Sequence, residues 1–154
     1  MMRLANCLQG LVVALICFCL TSAVVHAEGK PVKPVKEWKG KFAAQADEPL
    51  MKEAPMSGYI ATEKAWAKLW KAWRGKEKLP KVDFTKQLVL VGTAACAANR
   101  IQANFSLDDK GDLNGGFVAT EIGGPGFVYM ILVVNRAHVK SFNGKAMEKE
   151  SGSR

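Results

Sequence analysis

The sequence has few of the side chains that enzymes most often use as nucleophiles, bases or metal ligands. It contains four cysteines and two histidines in 154 residues. Three of the cysteines and one histidine lie in the first 27 residues, which have the pattern of a signal peptide, so Cys96 and His138 alone remain after them. A single cysteine excludes an internal disulfide, and one cysteine with one histidine is too few for zinc unless carboxylates complete the site.

The N-terminal pattern predicts export. Arg3 supplies a positive charge, an apolar run extends from Leu11 to Leu20, and Val25-His26-Ala27 places small residues before a cleavage point. Cleavage after Ala27 leaves 127 of the 154 residues, in a periplasmic or extracellular protein. The run of ten residues is shorter than the roughly 20 that cross a bilayer, so we expect no stable membrane span after cleavage.

Motifs for cofactors are missing as well. No G-x-G-x-x-G precedes a helix and no Gly-Lys-Ser/Thr occurs, so no nucleotide is expected. The segment 108–112 lacks the alternating acids of a calcium loop and carries Lys110, which predicts a solvated turn. We therefore expect no metal, no cofactor and no enzymatic activity. A hydrolase using Asp83 and Glu121 as acid and base ranks third among the functions considered.

Cys96 stands among four alanines, without a neighbouring cation before Arg100. This setting predicts a small buried residue, because nothing nearby stabilises a thiolate. An intermolecular disulfide is the alternative. Catalysis by a pair of Cys96 and His138 is not expected, because no nucleophile motif surrounds the cysteine.

One amphipathic helix is predicted from about Glu63 to Arg74. Thr62 is a suitable N-cap, and Gly75 can end the helix in the left-handed conformation. Four large apolar residues recur at helical spacing on one face, and three lysines occupy the opposite face. The apolar residues are Trp66, Leu69, Trp70 and Trp73, and the lysines are Lys64, Lys68 and Lys71.

The strands follow from alternation and from apolar runs. They are expected at 38–44, 59–61, 87–91, 101–108, 113–120 and 127–134, with a final hairpin around Asn143-Gly144. Residues 47–57 are predicted to be a loop. One helix followed by strands with short turns predicts an α+β fold with a mostly antiparallel sheet. The organisation is a signal peptide at 1–27, a Pro/Lys-rich linker at 28–36, one domain at 37–149 and a tail at 150–154.

Part of the chain resembles a known family. The segments Ala65–Trp70, Leu79–Phe84 and Gln87–Val91 are similar to the C-terminal domain of the bacterial protease-complex subunit PrcB family, and to small secreted bacterial proteins of the same layout. Pro80, Asp83 and Phe84 match its entry to a buried strand, whereas its glycine-rich hairpin is replaced here by residues 94–99. The resemblance implies an α+β domain with an accessory role in a protease complex, and no catalytic residue.

Three features are candidate binding sites: the glycine loop at 123–126, Trp70, and the lysine face of the predicted helix. The glycines Gly123, Gly124 and Gly126 permit backbone N–H groups to converge on an anion, although Pro125 removes one donor. Trp70, at the edge of the tryptophan stripe, is expected to be partly exposed. We expect a protein or peptide partner, bound at a sheet edge or at this glycine loop.

The alternative is a basic module for anionic polymers or envelope surfaces. It rests on Lys64, Lys68 and Lys71 and on a mature net charge of about +7, from 21 basic and 14 acidic side chains. Three lysines on one helix are also what a solvated face would show.

Overall fold

The computed structural model describes residues 29–147. The predicted signal peptide and tail lie outside that range. The elements are β1 (Lys30–Pro31), β2 (Lys36–Phe42), a 3-10 helix (Gln45–Glu53), β3 (Tyr59–Ile60), α1 (Glu63–Arg74), β4 (Gln87–Ala95), β5 (Ile101–Leu107), β6 (Asp112–Ala119), β7 (Phe127–Asn135), β8 (Ser141–Phe142) and β9 (Lys145–Ala146).

The strands form two sheets, with α1 packed on one of them. The first sheet has the order β2-β7-β4-β3 and the second has the order β1-β5-β6-β8-β9. Every pairing is antiparallel except that of β6 with β8. The predicted α+β class with a mostly antiparallel arrangement is confirmed, but the strands divide between two sheets where one was expected.

Two central strands separate two apolar cores. In β4, Val89 and Val91 face α1, whereas Leu88 and Leu90 face the second sheet. β7 alternates in the same way and is buried from Phe127 to Val134. Successive side chains of a strand point to opposite faces, so these two runs are apolar throughout because each face meets a different layer.

Helix α1 has the predicted bounds, and its N-cap is confirmed by a hydrogen bond from Ala65 N to Thr62 Oγ1 (3.3 Å). Its end differs from the prediction, because Gly75 stays right-handed at φ −56° and ψ −14°. The prediction that Trp70 is partly exposed is wrong, since its exposed fraction is 2%. Trp38 of β2 packs edge-on against it at 5.2 Å, and the guanidinium of Arg74 lies 5.3 Å from the ring.

The segment predicted as a loop at 47–57 contains most of the 3-10 helix. Asp47 and Glu48 lie in its first turn, where acidic side chains interact favourably with the helix dipole. Leu50 O accepts a hydrogen bond from Trp73 Nε1 (2.8 Å), and Lys68 of α1 pairs with Glu53 (2.9 Å). Packing against α1 therefore stabilises a helix in a segment whose prolines predict a loop.

Two other segments are more ordered than expected. Within the predicted linker, Lys30 and Pro31 pair with Leu107 and Ser106 of β5. β4 continues four residues beyond the predicted strand to Ala95, because it pairs with β7 along its whole length. The linker prolines predicted an extended backbone, and part of that extended segment forms the short strand β1.

Candidate strand-docking site

The central strands β4 and β6 each have one long edge that a neighbouring strand covers only in part. In the first sheet, β3 pairs with Val89 and Leu90 of β4 and reaches no further than Val91, whose N–H donates to Gly58 O (2.9 Å). In the second sheet, β8 pairs only with Asp112 and Leu113 of β6. Within residues 29–147, no strand covers this side of β6 from Gly116 onward. We call residues 116–121 the open edge.

The hydrogen-bond alternation shows which backbone groups point to the open edge. Thr120 N donates to Arg100 O (3.0 Å) and Asp108 N donates to Asp112 O (3.0 Å), so the even-numbered residues of β6 bond to β5. Alternate residues of an antiparallel strand direct their N–H and C=O groups to opposite sides. Phe117 and Ala119 therefore present theirs to the open edge.

Asn143 determines where the open edge begins. Gly115 N donates to Asn143 Oδ1 (2.9 Å), and Asn143 Nδ2 donates to Gly115 O (3.0 Å). The side chain thus bonds the two backbone groups that a neighbouring strand residue would bond. Gly144 N donates to the Asp112 carboxylate (2.9 Å), which holds the β8–β9 hairpin in place. Along the side of β6 that faces away from β5, Phe117 is therefore the first residue within 29–147 whose backbone N–H and C=O groups have no hydrogen-bond partner.

The open edge lacks the features that protect other sheet edges. Terminal strands β1, β3 and β9 have two residues each, and β2 carries exposed Lys36, Lys39 and Lys41. Short strands and lysines are common protections against unwanted strand pairing. Residues 113–120 contain no charged side chain, and Val118 and Ile122 remain 67% and 50% exposed.

A cleft of about 470 Å³ adjoins the open edge. Its lining residues are Ala94, Ala95, Asn99, Ala119, Thr120, Glu121, Ile122 and Gly123. In β4 the side chains between the two sheets become smaller toward it, from Leu90 to Ala94, and in β6 the small Ala119 lies next to it, after Phe117, whose ring packs over Gly92. We call this space the inter-sheet cleft, and small side chains leave it unfilled.

Asn99 holds together the wall of the inter-sheet cleft that is formed by the β4–β5 turn and the loop after β6. Its Nδ2 donates to Ala95 O (2.5 Å) and Ile122 O (3.1 Å), and its Oδ1 accepts from Thr120 Oγ1 (2.8 Å) and Ile122 N (2.8 Å). This buried side chain, 9% exposed, therefore joins the β4–β5 turn to the loop that follows β6. Sequence reasoning missed its role, because three of its four bonds are with Thr120 and Ile122, which lie 21 and 23 residues away.

The glycine loop lies beside this wall. Gly123 lines the inter-sheet cleft, whereas Gly124, at φ 147°, stands over Cys96. Gly126 N donates to Glu48 Oε1 (3.3 Å), and Gly126 O accepts from Cys96 N (2.7 Å). A carboxylate of the chain itself thus occupies one of the N–H groups considered for an anion. Cys96 is buried, as its alanine surroundings predict.

A second cleft, of about 580 Å³, separates the glycine loop from the 3-10 helix. Glu48, Met51, Gly124 and Gly126 are among its lining residues. It lies on the α1 side of the first sheet and shares Ala95 with the inter-sheet cleft.

The remaining sequence candidates lie elsewhere. Lys64, Lys68 and Lys71 are exposed on α1, across the first sheet from the open edge. Trp70 is buried, so it offers no stacking surface; its Nε1 donates to Glu77 O (3.2 Å).

Groups considered for catalysis are not brought together. Asp83 and His138 lie near the Gln87 end of β4, and Cys96 and Glu121 lie near its Ala95 end. That strand alone spans about 26 Å at roughly 3.3 Å per residue. Asp83 Oδ1 accepts hydrogen bonds from Thr85 N and Thr85 Oγ1, and these bonds lower the pKa of Asp83.

Between residues 29 and 147, no group of three or more His, Cys, Asp or Glu side chains could hold a metal ion. No helix in the same range is long and apolar enough to cross a membrane.

Comparison with known proteins gives no match to this chain among family models, curated proteins or solved structures. The PrcB resemblance and the accessory role that it implies therefore stay predictions.

Proposed function

We propose that this chain is an exported, non-enzymatic binding domain that recognises a protein or peptide partner by β-augmentation at the open edge. The observation that carries the proposal is the uncharged, uncovered stretch of β6, with the N–H and C=O groups of Phe117 and Ala119 directed away from β5. Added strands gain affinity from such main-chain hydrogen bonds, and pockets for alternate side chains supply specificity.

Selection of peptides gives a direct test. A displayed library of random twelve-residue peptides is selected against the protein, and the selected peptides are synthesised and titrated into isotope-labelled protein. We expect the largest amide shift changes between residues 115 and 123. Failure to select any peptide, or shift changes confined to α1, would contradict the proposal.

Two variants test the docking geometry. Ala119→Pro removes an N–H that the fold itself does not use, and Val118→Lys adds the charge that β2 already carries on its edge. Both should weaken binding of the selected peptides at least tenfold. Gln102→Lys is the matched control for the added charge, because Gln102 lies directly opposite Val118 on the same outer face. Equal affinity in all three variants would refute the assignment.

A second copy of the chain could also occupy the open edge. Sedimentation analysis distinguishes the two occupants, because we expect a monomer whose behaviour is unchanged by Val118→Lys. A concentration-dependent dimer that this substitution dissociates would show that the edge serves self-association, and the proposal of a foreign partner would be wrong.

A basic surface for anionic polymers is the second candidate, and the charge distribution favours it. Residues 29–86 carry fourteen Lys and Arg against seven Asp and Glu, whereas residues 87–147 carry five against four. The first group includes α1 and β2, so positive charge is concentrated on that side. Binding to heparin should then fall steeply with salt, and replacing Lys64, Lys68 and Lys71 by Gln should flatten that dependence. An unchanged salt slope would eliminate this candidate.

The accessory role in a protease complex is a narrower form of the first proposal. The partner would then be an exported protease or one of its associated chains. A protease gene adjacent to the gene for this chain would support that form, and polysaccharide genes in that position would support the basic surface.

A further inference from the structure

We propose that the inter-sheet cleft receives one bulky apolar side chain of the strand added at the open edge, and that Glu121 pairs with a cationic residue of that strand. This inference rests on the proposed function and specifies the class of peptide that the site binds. The occupant is an extended, otherwise uncharged segment with a large aliphatic residue in its middle and a Lys or Arg next to its apolar part.

The apolar preference follows from the geometry of the strand. Side chains of an added strand alternate between the two faces of the sheet, so every second one points toward the first sheet. Next to Ala119, the facing residue of β4 is Ala94, and both are small. Elsewhere in the same layer, the space between the sheets is filled by leucines and Phe117. A large side chain entering beside Ala119 would continue that packing.

The open edge also limits where the segment can lie. Asn143 occupies the backbone groups of Gly115 and β8 covers the residues before it. The added strand must therefore lie along residues 116–121, which places its middle beside Ala119. The apolar side chain that enters the cleft is consequently a central one.

The cationic residue follows from charge complementarity. Glu121 is the one charged residue that lines the cleft, and within residues 29–147 it takes part in no ion pair. It lies two residues beyond the last residue of β6, at the end of the open edge opposite Asn143. A partner charge of opposite sign at that end would strengthen association and specify the position of the strand.

Designed peptides test both parts. The probes are seven-residue peptides of threonine and serine with a terminal lysine and a central alanine, valine or leucine. They are made with the lysine at either end, because a strand can add in either direction. Titrations followed by amide shifts should show the leucine peptide binding at least tenfold more tightly than the alanine peptide, the scale expected for added methylenes in an apolar pocket.

Filling the cleft from the protein side should remove that preference. Ala119→Leu fills it from β6, and Ala94→Leu fills it from β4 without altering the open edge. Each should abolish the advantage of leucine over alanine, and thermal unfolding confirms that each variant is folded. Ala65→Leu adds the same volume on the exposed face of α1, away from the open edge, and should leave the preference unchanged. A preference that persists in both filled variants would overturn the inference.

A charge exchange tests the role of Glu121. Glu121→Lys should weaken the lysine peptides and strengthen peptides in which glutamate replaces the lysine. If all peptides shift residues 115–123 with equal affinity and no charge effect, the proposed function stands and this inference is wrong. If no peptide shifts these residues at any concentration up to solubility and the displayed library also yields none, both are wrong.

Discussion

Replacing Asn99 by alanine tests the wall on which the candidate site depends. The side chain makes four hydrogen bonds, two through Nδ2 and two through Oδ1. At about 1 kcal/mol for each bond, the upper value is about 4 kcal/mol. Thr120 and Ile122 are exposed, so water replaces part of what is lost. We therefore expect Asn99→Ala to lower the free energy of unfolding by about 2–3 kcal/mol.

Urea unfolding followed by tryptophan fluorescence measures this loss. The tryptophans of α1 lie in the other core and report global unfolding. Asn104→Ala is the matched control, because Asn104 is exposed in the middle of β5 and its loss should cost less than about 0.5 kcal/mol. Hydrogen exchange at the Ile122 amide gives a local measurement. If Asn99→Ala is as stable as the control and that amide stays protected, the assigned role of Asn99 is refuted.

Three more predictions concern packing and charge. Trp70→Ala should cost about 3–5 kcal/mol in thermal or urea unfolding, as for other large buried aromatics; a loss under 1 kcal/mol would contradict its burial. Gly92→Ala should destabilise by about 1–3 kcal/mol, because a Cβ there meets the ring of Phe117, and Phe117→Leu should restore part of the loss. Thr85→Val should raise the pKa of Asp83 toward its ordinary range, measured by carboxyl NMR, because the Thr85 hydroxyl is the main cause of its lowering. A lowered carboxyl pKa in the folded state contributes stability at neutral pH, and that contribution is lost as the pH falls through the pKa. This variant should therefore lack that contribution at neutral pH, and its stability should change less with pH in the acid range.

The sequence by itself determined the local elements. Thr62 and the spacing of Trp66, Leu69 and Trp73 predicted the extent of α1, because helix capping and 3.6-residue periodicity are properties of neighbouring residues, although Gly75 does not end the helix in the left-handed conformation. The continuous apolar run after Gln87 is typical of a strand covered on both faces, and β4 is such a strand. Alternation likewise showed which residues of β5 are buried.

Only the tertiary structure decided what each face packs against. Periodicity shows that a face is apolar but does not identify its neighbour, so the division into two sheets and the parallel pairing of β6 with β8 could not be predicted. Trp70 is buried because Trp38, 32 positions earlier in the chain, packs on it.

The candidate site depends on the same long-range pairing. Asn143-Gly144 predicted a hairpin, but not that the Asn143 amide would bond to Gly115 and leave the next residues of β6 uncovered. Whether a strand has a free edge depends on how far its neighbours extend, and β8 is only two residues long. The sequence shows that β6 has few charged residues, whereas only the fold shows which edge of β6 is uncovered.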